Sequence, residues 1–206
     1  MQKKYSLNWN RDHLVDIEND IFHMPFKGDD IILGYIFGGN ESPNPDKFVF
    51  SGDFNVVGNI DYITNDLWIP VLSKRMIDLL TSLGSFKYEL IPCEIFDFTI
   101  PHEEVFEDKS KWLYKPNIEL NKDYYALRLL DDYVEMDYEK SEYDILIKDP
   151  LRIGSIENLV LRSSKGGLPP LFRIKEKLSQ ILVPESVKEE LEASGLKGLV
   201  FESEII

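Results

Sequence analysis

The chain holds three histidines, one cysteine and an excess of carboxylates, and the spacing of these residues decides what chemistry they can do. His13 follows Asp12, and His102 precedes Glu103 and Glu104, so both have the residue types of an acid–base pair. Neither has metal-motif spacing: a zinc-binding HExxH helix needs a second histidine four residues on, and position 106 is Phe. With His23, they read as solvated loop side chains. Cys93 cannot form an internal disulfide and has no basic or histidine neighbour in sequence to lower its thiol pKa. In LIPCEIF it reads as a small buried hydrophobe in mid-strand. The glycine pairs 38–39 and 166–167 fit neither GxxxxGK[ST] nor GxGxxG, so they are no phosphate cradles. Ser51-Gly52 and Ser194-Gly195 lack the GxSxG elbow. A catalytic carboxylate pair needs a cleft that drives two pKa values apart, whereas carboxylates along an exposed strand stay ionised. The expectation is a protein without catalytic residues, cofactor or metal, and not an enzyme.

The carboxylates matter in another way. The 206 residues carry 23 basic and 37 acidic side chains, a formal charge of −14. Residues 1–88 are net −4, residues 89–149 hold 17 acids and 7 bases for net −10, and residues 150–206 are neutral. Nucleic acid is excluded as a partner, because affinity for phosphate backbones needs clustered Lys and Arg. An anionic membrane surface is excluded on the same ground. Hydrophobic content of 43% and aromatic content of 12% are those of a folded domain.

The element that must hold the densest acids is the run YYALRLLDDYVEMDYE, which reads as one long strand. Period two puts Val134, Met136 and Tyr138 on one face, and Tyr133, Glu135, Asp137 and Glu139 on the other. The carboxylate face must be in water. It is either a solubilising surface or a docking face. In the second reading, Asp131, Glu135, Asp137 and Glu139 steer a basic partner and Tyr133 and Tyr143 anchor it.

Around it, DIILGYIF (30–37) reads as a buried strand and GGNESPNPD (38–46) as a turn-rich loop. KFVFSGDFNVVGN (47–59) reads as one or two strands broken at Gly52-Asp53. Apolar residues at 72, 76, 79/80 and 83 predict a helix over Ser73–Leu83, capped by Ser73, stopped by Gly84 in the left-handed conformation, with Met76, Leu80 and Leu83 inward. In KYELIPCEIFDFTI (87–100), Pro92 suggests an edge strand or bulge. Residues 101–121 predict a loop or short irregular helix, and ENLVLR (157–162) a strand. In the last unit Pro184 starts a helix, Val187 and Leu191 share a face, Lys188 pairs with Glu192, and Gly195-Leu196 ends it before strand 198–201. WIPVLSKRMIDLLTSLG…YELI and QILVPESVKEELEASG…GLVF share one order: apolar run, capped helix, glycine, strand. Seven to ten strands without regular helix alternation predict α+β, mainly an antiparallel sheet of short strands with two or three packed helices, as a single domain over 1–206.

IPVLSKRMIDLLTSLGSFKYELIPCEI, then YYALRLLDDYVEMDYEKSEYD, then PPLFRIKEKLSQILVPESVKEELEASGLKGLVFE together resemble a family of bacterial immunity proteins from polymorphic toxin systems, immunity protein family eleven, formerly a domain of unknown function. The resemblance covers about residues 60–204; its most specific part is FRIK…ILVPESVKEELEASGLKGLVF. It implies a cytoplasmic protein that binds and neutralises a cognate toxin. It carries over no functional residues, since the shared positions are apolar, Ser, Pro and Gly. The cytoplasmic expectation agrees with the start of the chain, where no apolar signal core follows MQKKYSLNWNRDH, and with the lack of any run long enough to span a bilayer. One alternative is a small Mg²⁺-dependent hydrolase using the acidic patch. On a straight strand Asp131 and Glu135 would stand about 13 Å apart, too far to share one ion. A generic adaptor module is the other alternative.

Overall fold

The computed structural model describes residues 3–14, 18–24, 45–130, 134–149, 151–162 and 167–203. The predicted strand over 30–37 lies outside them. Short runs of β-branched and aromatic residues, each closed by turn formers, build thirteen strands among the described residues. In chain order these are β1 (Lys4–Trp9), β2 (Ile21–His23), β3 (Phe48–Gly52), β4 (Tyr62–Ile63), β5 (Val71–Ser73), β6 (Tyr88–Asp97), β7 (Phe106–Asp108), β8 (Leu113–Tyr114), β9 (Leu120–Leu129), β10 (Glu142–Lys148), β11 (Leu151–Asn158), β12 (Ile181–Pro184) and β13 (Leu199–Glu202). Three helices accompany them: α1 (Lys74–Leu83), the single turn α2 (His102–Val105) and α3 (Glu185–Ala193). The class is α+β, with more and shorter strands than predicted.

Six strands form one sheet in the order β2-β3-β6-β9-β5-β4, antiparallel except for the parallel pair β3–β6. Both faces are covered. On one, Phe48, Phe50, Ile91, Cys93, Ile95, Tyr124 and Ala126 pack with Val57, Ile63 and Ile69. On the other, Leu72, Leu127 and Leu129 meet Met76, Ile77 and Leu80 of α1 and Val187 and Leu191 of α3. The antiparallel sheet β12-β1-β13 joins this second layer through Leu7, Ile181 and Val183. Val49 and Phe96, at the β3 end, are closed off by Val105 and Phe106.

Both predicted helices form where the apolar spacing puts them. Ser73 caps α1, its hydroxyl accepting from the Met76 amide at 3.1 Å. Met76 and Leu80 point inward with Ile77, while Leu83 is only partly buried. The stop at Gly84 is made with near-extended backbone, φ 157 and ψ −179, and not the left-handed turn expected. In α3, Val187 and Leu191 are buried and Lys188 meets Glu192 at 2.8 Å. Gly195 follows in the left-handed conformation at φ 70, as its position predicts. Each helix lies between two strands, β5 and β6 or β12 and β13, which bears out the shared order of the two segments.

Several sequence expectations are corrected. Pro92 is not on an edge strand: β6 sits between β3 and β9. Pairing with β3 begins only at Cys93, so Pro92 lies one residue outside that ladder, and the register shift expected of a bulge falls between Cys93 and Ile95. The strand assigned to 157–162 runs earlier, as β11, with only Leu161 bridging to Met136 further on. The second half of 47–59 is turns. Residues 101–121 hold α2 and the small hairpin β7–β8. The long acidic strand is also not found, as described in the next section. Cys93 is buried in mid-strand as expected, and burial pushes its thiol well above the ordinary value.

One buried carboxylate joins several segments. Asp61 is almost wholly enclosed and accepts from the Ser73 hydroxyl at 2.7 Å, the Arg75 guanidinium at 3.1 and 2.5 Å, and the Lys197 amide at 2.9 Å. Burial pushes its pKa up, but the bonds from Arg75, Ser73 and the Lys197 amide outweigh that and hold it below the ordinary carboxylate value. The cap of α1, the start of β4 and the loop leaving α3 therefore meet at one side chain.

Candidate interaction site

The acids singled out by sequence surround a turn, not a strand face. Asp131 and Tyr133 lie outside the described residues. β9 ends at Leu129, and from Val134 onward the backbone is irregular, with Met136 alone bridging to Leu161. The physical reason is visible in the pairing. Ladder partners for 134–141 come from 159–162 and from Arg173, not from a neighbouring sheet strand. The Val134 amide donates to the Arg173 carbonyl (3.0 Å), the Asp137 amide to the Val160 carbonyl (2.8 Å) and the Arg162 amide to the Glu135 carbonyl (2.9 Å). The Ser141 hydroxyl donates to the Val160 carbonyl and accepts from its amide, at 3.1 and 2.9 Å.

Below this stitching lies a small separate core. Met136 packs with Ile153, Ile156, Leu159, Phe172, Ile174 and Leu182, and Val134 and Tyr143 close its edge. Alternation survives in part: Met136 is buried and Glu135 exposed. It fails at the next pair, because Asp137 is half-buried and Tyr138 is exposed.

The acids differ in what they do. Asp137 is a turn staple: its carboxylate accepts from the Glu139 amide at 3.2 Å and from Lys140 Nζ at 2.9 Å, and its carbonyl accepts from the amides of Lys140 and Ser141. The bond from Lys140 holds its pKa below the ordinary value. Glu135 pairs with Arg162 at 3.3 Å, with both side chains largely in water. Glu139 is exposed at the turn. Tyr143 packs edge-on to Tyr138 with ring centroids 5.9 Å apart. The Tyr138 hydroxyl donates to Glu176, and that bond pushes the phenol up to about 12. The structure thus brings Glu135, Asp137, Glu139 and Tyr143 together around one pinned turn.

Sequence reading missed Arg162, Tyr138 and Glu176 as neighbours of this turn. It also missed the antiparallel ribbon β10–β11 that rises from it, with Ser155 donating to Asp144 at 3.0 Å. A signal was present: YDILI and LRI are short apolar runs separated by Lys148-Asp149-Pro150, the form of a hairpin.

The histidines also depart from their expected surroundings. His13 does not use Asp12; its Nε2 lies 2.5 Å from Asp20, whose buried carboxylate also accepts from the amide and hydroxyl of Thr64, both at 2.9 Å. His23 is in β2, edge-on to Phe48 and Phe50. His102 opens α2 and is exposed, edge-on to Phe96. The His13–Asp20 bond ties the 11–14 turn to the sheet, and among the described residues no hydroxyl or thiol is bonded to His13 for activation. Among the described residues, no three His, Cys, Asp or Glu side chains are grouped to hold a metal ion. No helix there is long and apolar enough to cross a membrane.

A scan against protein families finds no matching family model, and a search of curated proteins finds no match.

Proposed function

We propose that the chain is an immunity protein that neutralises a cognate bacterial toxin by stoichiometric binding, with the acidic turn around Glu135–Glu139 and Tyr143 facing a basic cleft of the toxin. The observation that carries this reading is the pinned turn. Asp137 spends its carboxylate on the turn itself, which leaves Glu139 displayed, and Glu135 exposed beside Arg162, on a backbone fixed by Val160, Arg162 and Arg173. A preorganised charged surface loses little side-chain and loop freedom on binding, which is where affinity is otherwise lost. Supporting it are the concentration of charge, net −10 over residues 89–149, and the resemblance of residues 60–204 to immunity proteins.

An inhibitor of this kind works by occupying a surface and needs no reactive group. Opposite charge raises the encounter rate above the ordinary range of roughly 10⁵–10⁷ M⁻¹s⁻¹. The test is to mix the purified chain with the C-terminal domain of the toxin encoded beside its gene. A one-to-one complex that abolishes the toxin's activity supports the reading. A toxin domain that stays fully active with the chain in large excess contradicts it.

A further inference from the structure

Beside the end of β1 an indole stands in water on a backbone that few side chains adopt. Trp68 is 69% exposed and lies in the left-handed region at φ 58. A residue with a Cβ is strained there, and the strain persists only where the surroundings hold it. Among the described residues, Trp112 is the other non-glycine residue with positive φ, and it offsets the strain by packing on Phe106, ring centres 5.4 Å apart. Trp68 has no such burial. Its loop is clamped instead. The wholly buried Asn65 donates from Nδ2 to the Ile69 carbonyl at 2.8 Å and accepts from the Ile69 amide at 3.2 Å, and Asp66 accepts from the His23 amide at 2.7 Å. Asp66-Leu67-Trp68 is therefore a fixed arch that displays an indole.

Two neighbours complete the surface. Trp9, the last residue of β1, has its ring centre 5.9 Å from that of Trp68 and 5.7 Å from that of the buried Tyr62. The guanidinium carbon of Arg11 lies 4.9 Å from the Trp68 ring centre and 5.7 Å from that of Trp9. The turn that carries Arg11 is pinned as well: the Asn10 side chain accepts from the Asp12 amide at 2.8 Å, and His13 meets Asp20. Among the described residues no carboxylate lies within ion-pair distance of Arg11, although the chain has 37 acids and Arg75, Arg128 and Arg162 each meet one. A guanidinium held over ring faces keeps its N–H edge, which matches a carboxylate in a two-bond fork. Exposed, preorganised Trp and Arg are the residue types that dominate protein interfaces. The complementary surface is an apolar recess with an Asp or Glu at its rim.

We propose that Trp68, Trp9 and Arg11 form a second contact with the toxin, the Trp68 indole entering an apolar recess and Arg11 pairing with a carboxylate beside it. This rests on the reading of the chain as a toxin-neutralising protein. The two contacts differ in what they set. Carboxylates of the pinned turn act at range and attract any basic protein, so they govern the encounter rate. An indole and a guanidinium that requires a carboxylate act in contact, so they govern the dissociation rate and select among basic proteins. Strand β1 links the two. Lys4 at its start donates to the Leu159 carbonyl at 3.3 Å, next to Val160 of the stitched turn. From there β1 runs about 17 Å to Trp9, less than the width of a standard interface of about 800 Å² per partner.

Surface plasmon resonance with the full chain and the C-terminal domain of a toxin encoded beside the gene separates the rates. Trp68→Gly removes the indole and suits the left-handed backbone, so the urea midpoint should hold or rise. Its complex should dissociate about thirtyfold faster or more, with association changed by less than about twofold. Arg11→Lys keeps the charge but loses the planar fork, and should speed dissociation by roughly tenfold. An unaltered dissociation rate in Trp68→Gly overturns the proposal, and a lowered urea midpoint alongside it makes Trp68 a cover for Trp9. Arg11→Lys dissociating like the unaltered chain overturns the carboxylate pairing. A chain that does not bind the toxin domain overturns the neutralisation reading and this proposal with it, whereas a tight inhibitory complex indifferent to both variants overturns this proposal alone.

Discussion

Asp61 and Glu139 are both carboxylates, and their surroundings give them opposite uses. Asp61 is enclosed and accepts from Ser73, Arg75 and the Lys197 amide. Removing its charge leaves those donors facing a site built for an anion, and Asp61→Asn should cost about 2–4 kcal/mol in urea unfolding. Its pH dependence has a definite sign. The folded-state pKa is held below the ordinary carboxylate value, so its contribution is complete above the unfolded pKa and is lost as pH falls through the folded value. The unaltered chain should therefore lose stability on acidification below about pH 4, and Asp61→Asn should flatten that part of the curve. A curve unchanged in shape would show that other carboxylates govern acid unfolding. Glu139 has none of these partners and stands exposed at the turn. Glu139→Lys should leave stability within about 0.5 kcal/mol while slowing association with the proposed toxin partner. Asp137→Ala, by contrast, should loosen the turn and raise amide exchange at Glu139–Ser141.

At the scale of elements, the parts legible in sequence were those with local punctuation. Helix α1 could be read from its apolar spacing and Ser73, and α3 from Pro184, Val187, Leu191 and Gly195, because caps and periodicity are properties of neighbouring residues. The lengths of β9 and β11 were not legible, because a strand ends where its partner ends. Nothing local in YYALRLLDDYVEMDYE announces that Val160, Arg162 and Arg173 will take over the backbone bonds after Val134. Candidate-site residues were found by charge density, but their roles depended on Arg162, Lys140 and Glu176, two of them more than twenty residues away. The junction after α3 offers a sharp test of element packing. Gly198 is left-handed at φ 86, and a Cβ there would overlap Ile60 Cγ2 and lie 2.5 Å from the Tyr62 carbonyl oxygen. Gly198→Ala combines backbone strain with overlap against main chain and should destabilise by about 2–4 kcal/mol, read as a lower urea midpoint. Ser73→Ala should cost about 1–2 kcal/mol through the lost cap and the lost bond to Asp61.

For the molecule as a whole, the charge of −14 is a statement about partners and rates more than about folding. Ten units lie in residues 89–149, and the most exposed of the described acids in the pinned turn stand on a backbone that the small core beneath it holds in place. That arrangement suits fast capture of a basic protein and makes the rate sensitive to ions. The most direct test is stopped-flow association with the proposed partner, the C-terminal domain of a toxin encoded beside the gene, as ionic strength is raised from about 0.01 to 0.5 M, shortening the screening length from roughly 30 Å to a few ångströms. The account predicts an association rate constant that falls steeply with salt, with Glu139→Lys slower than the unaltered chain at low salt and converging with it at high salt. A rate constant independent of salt, or unaffected by Glu139→Lys, would contradict the assignment of the acidic turn to the toxin interface.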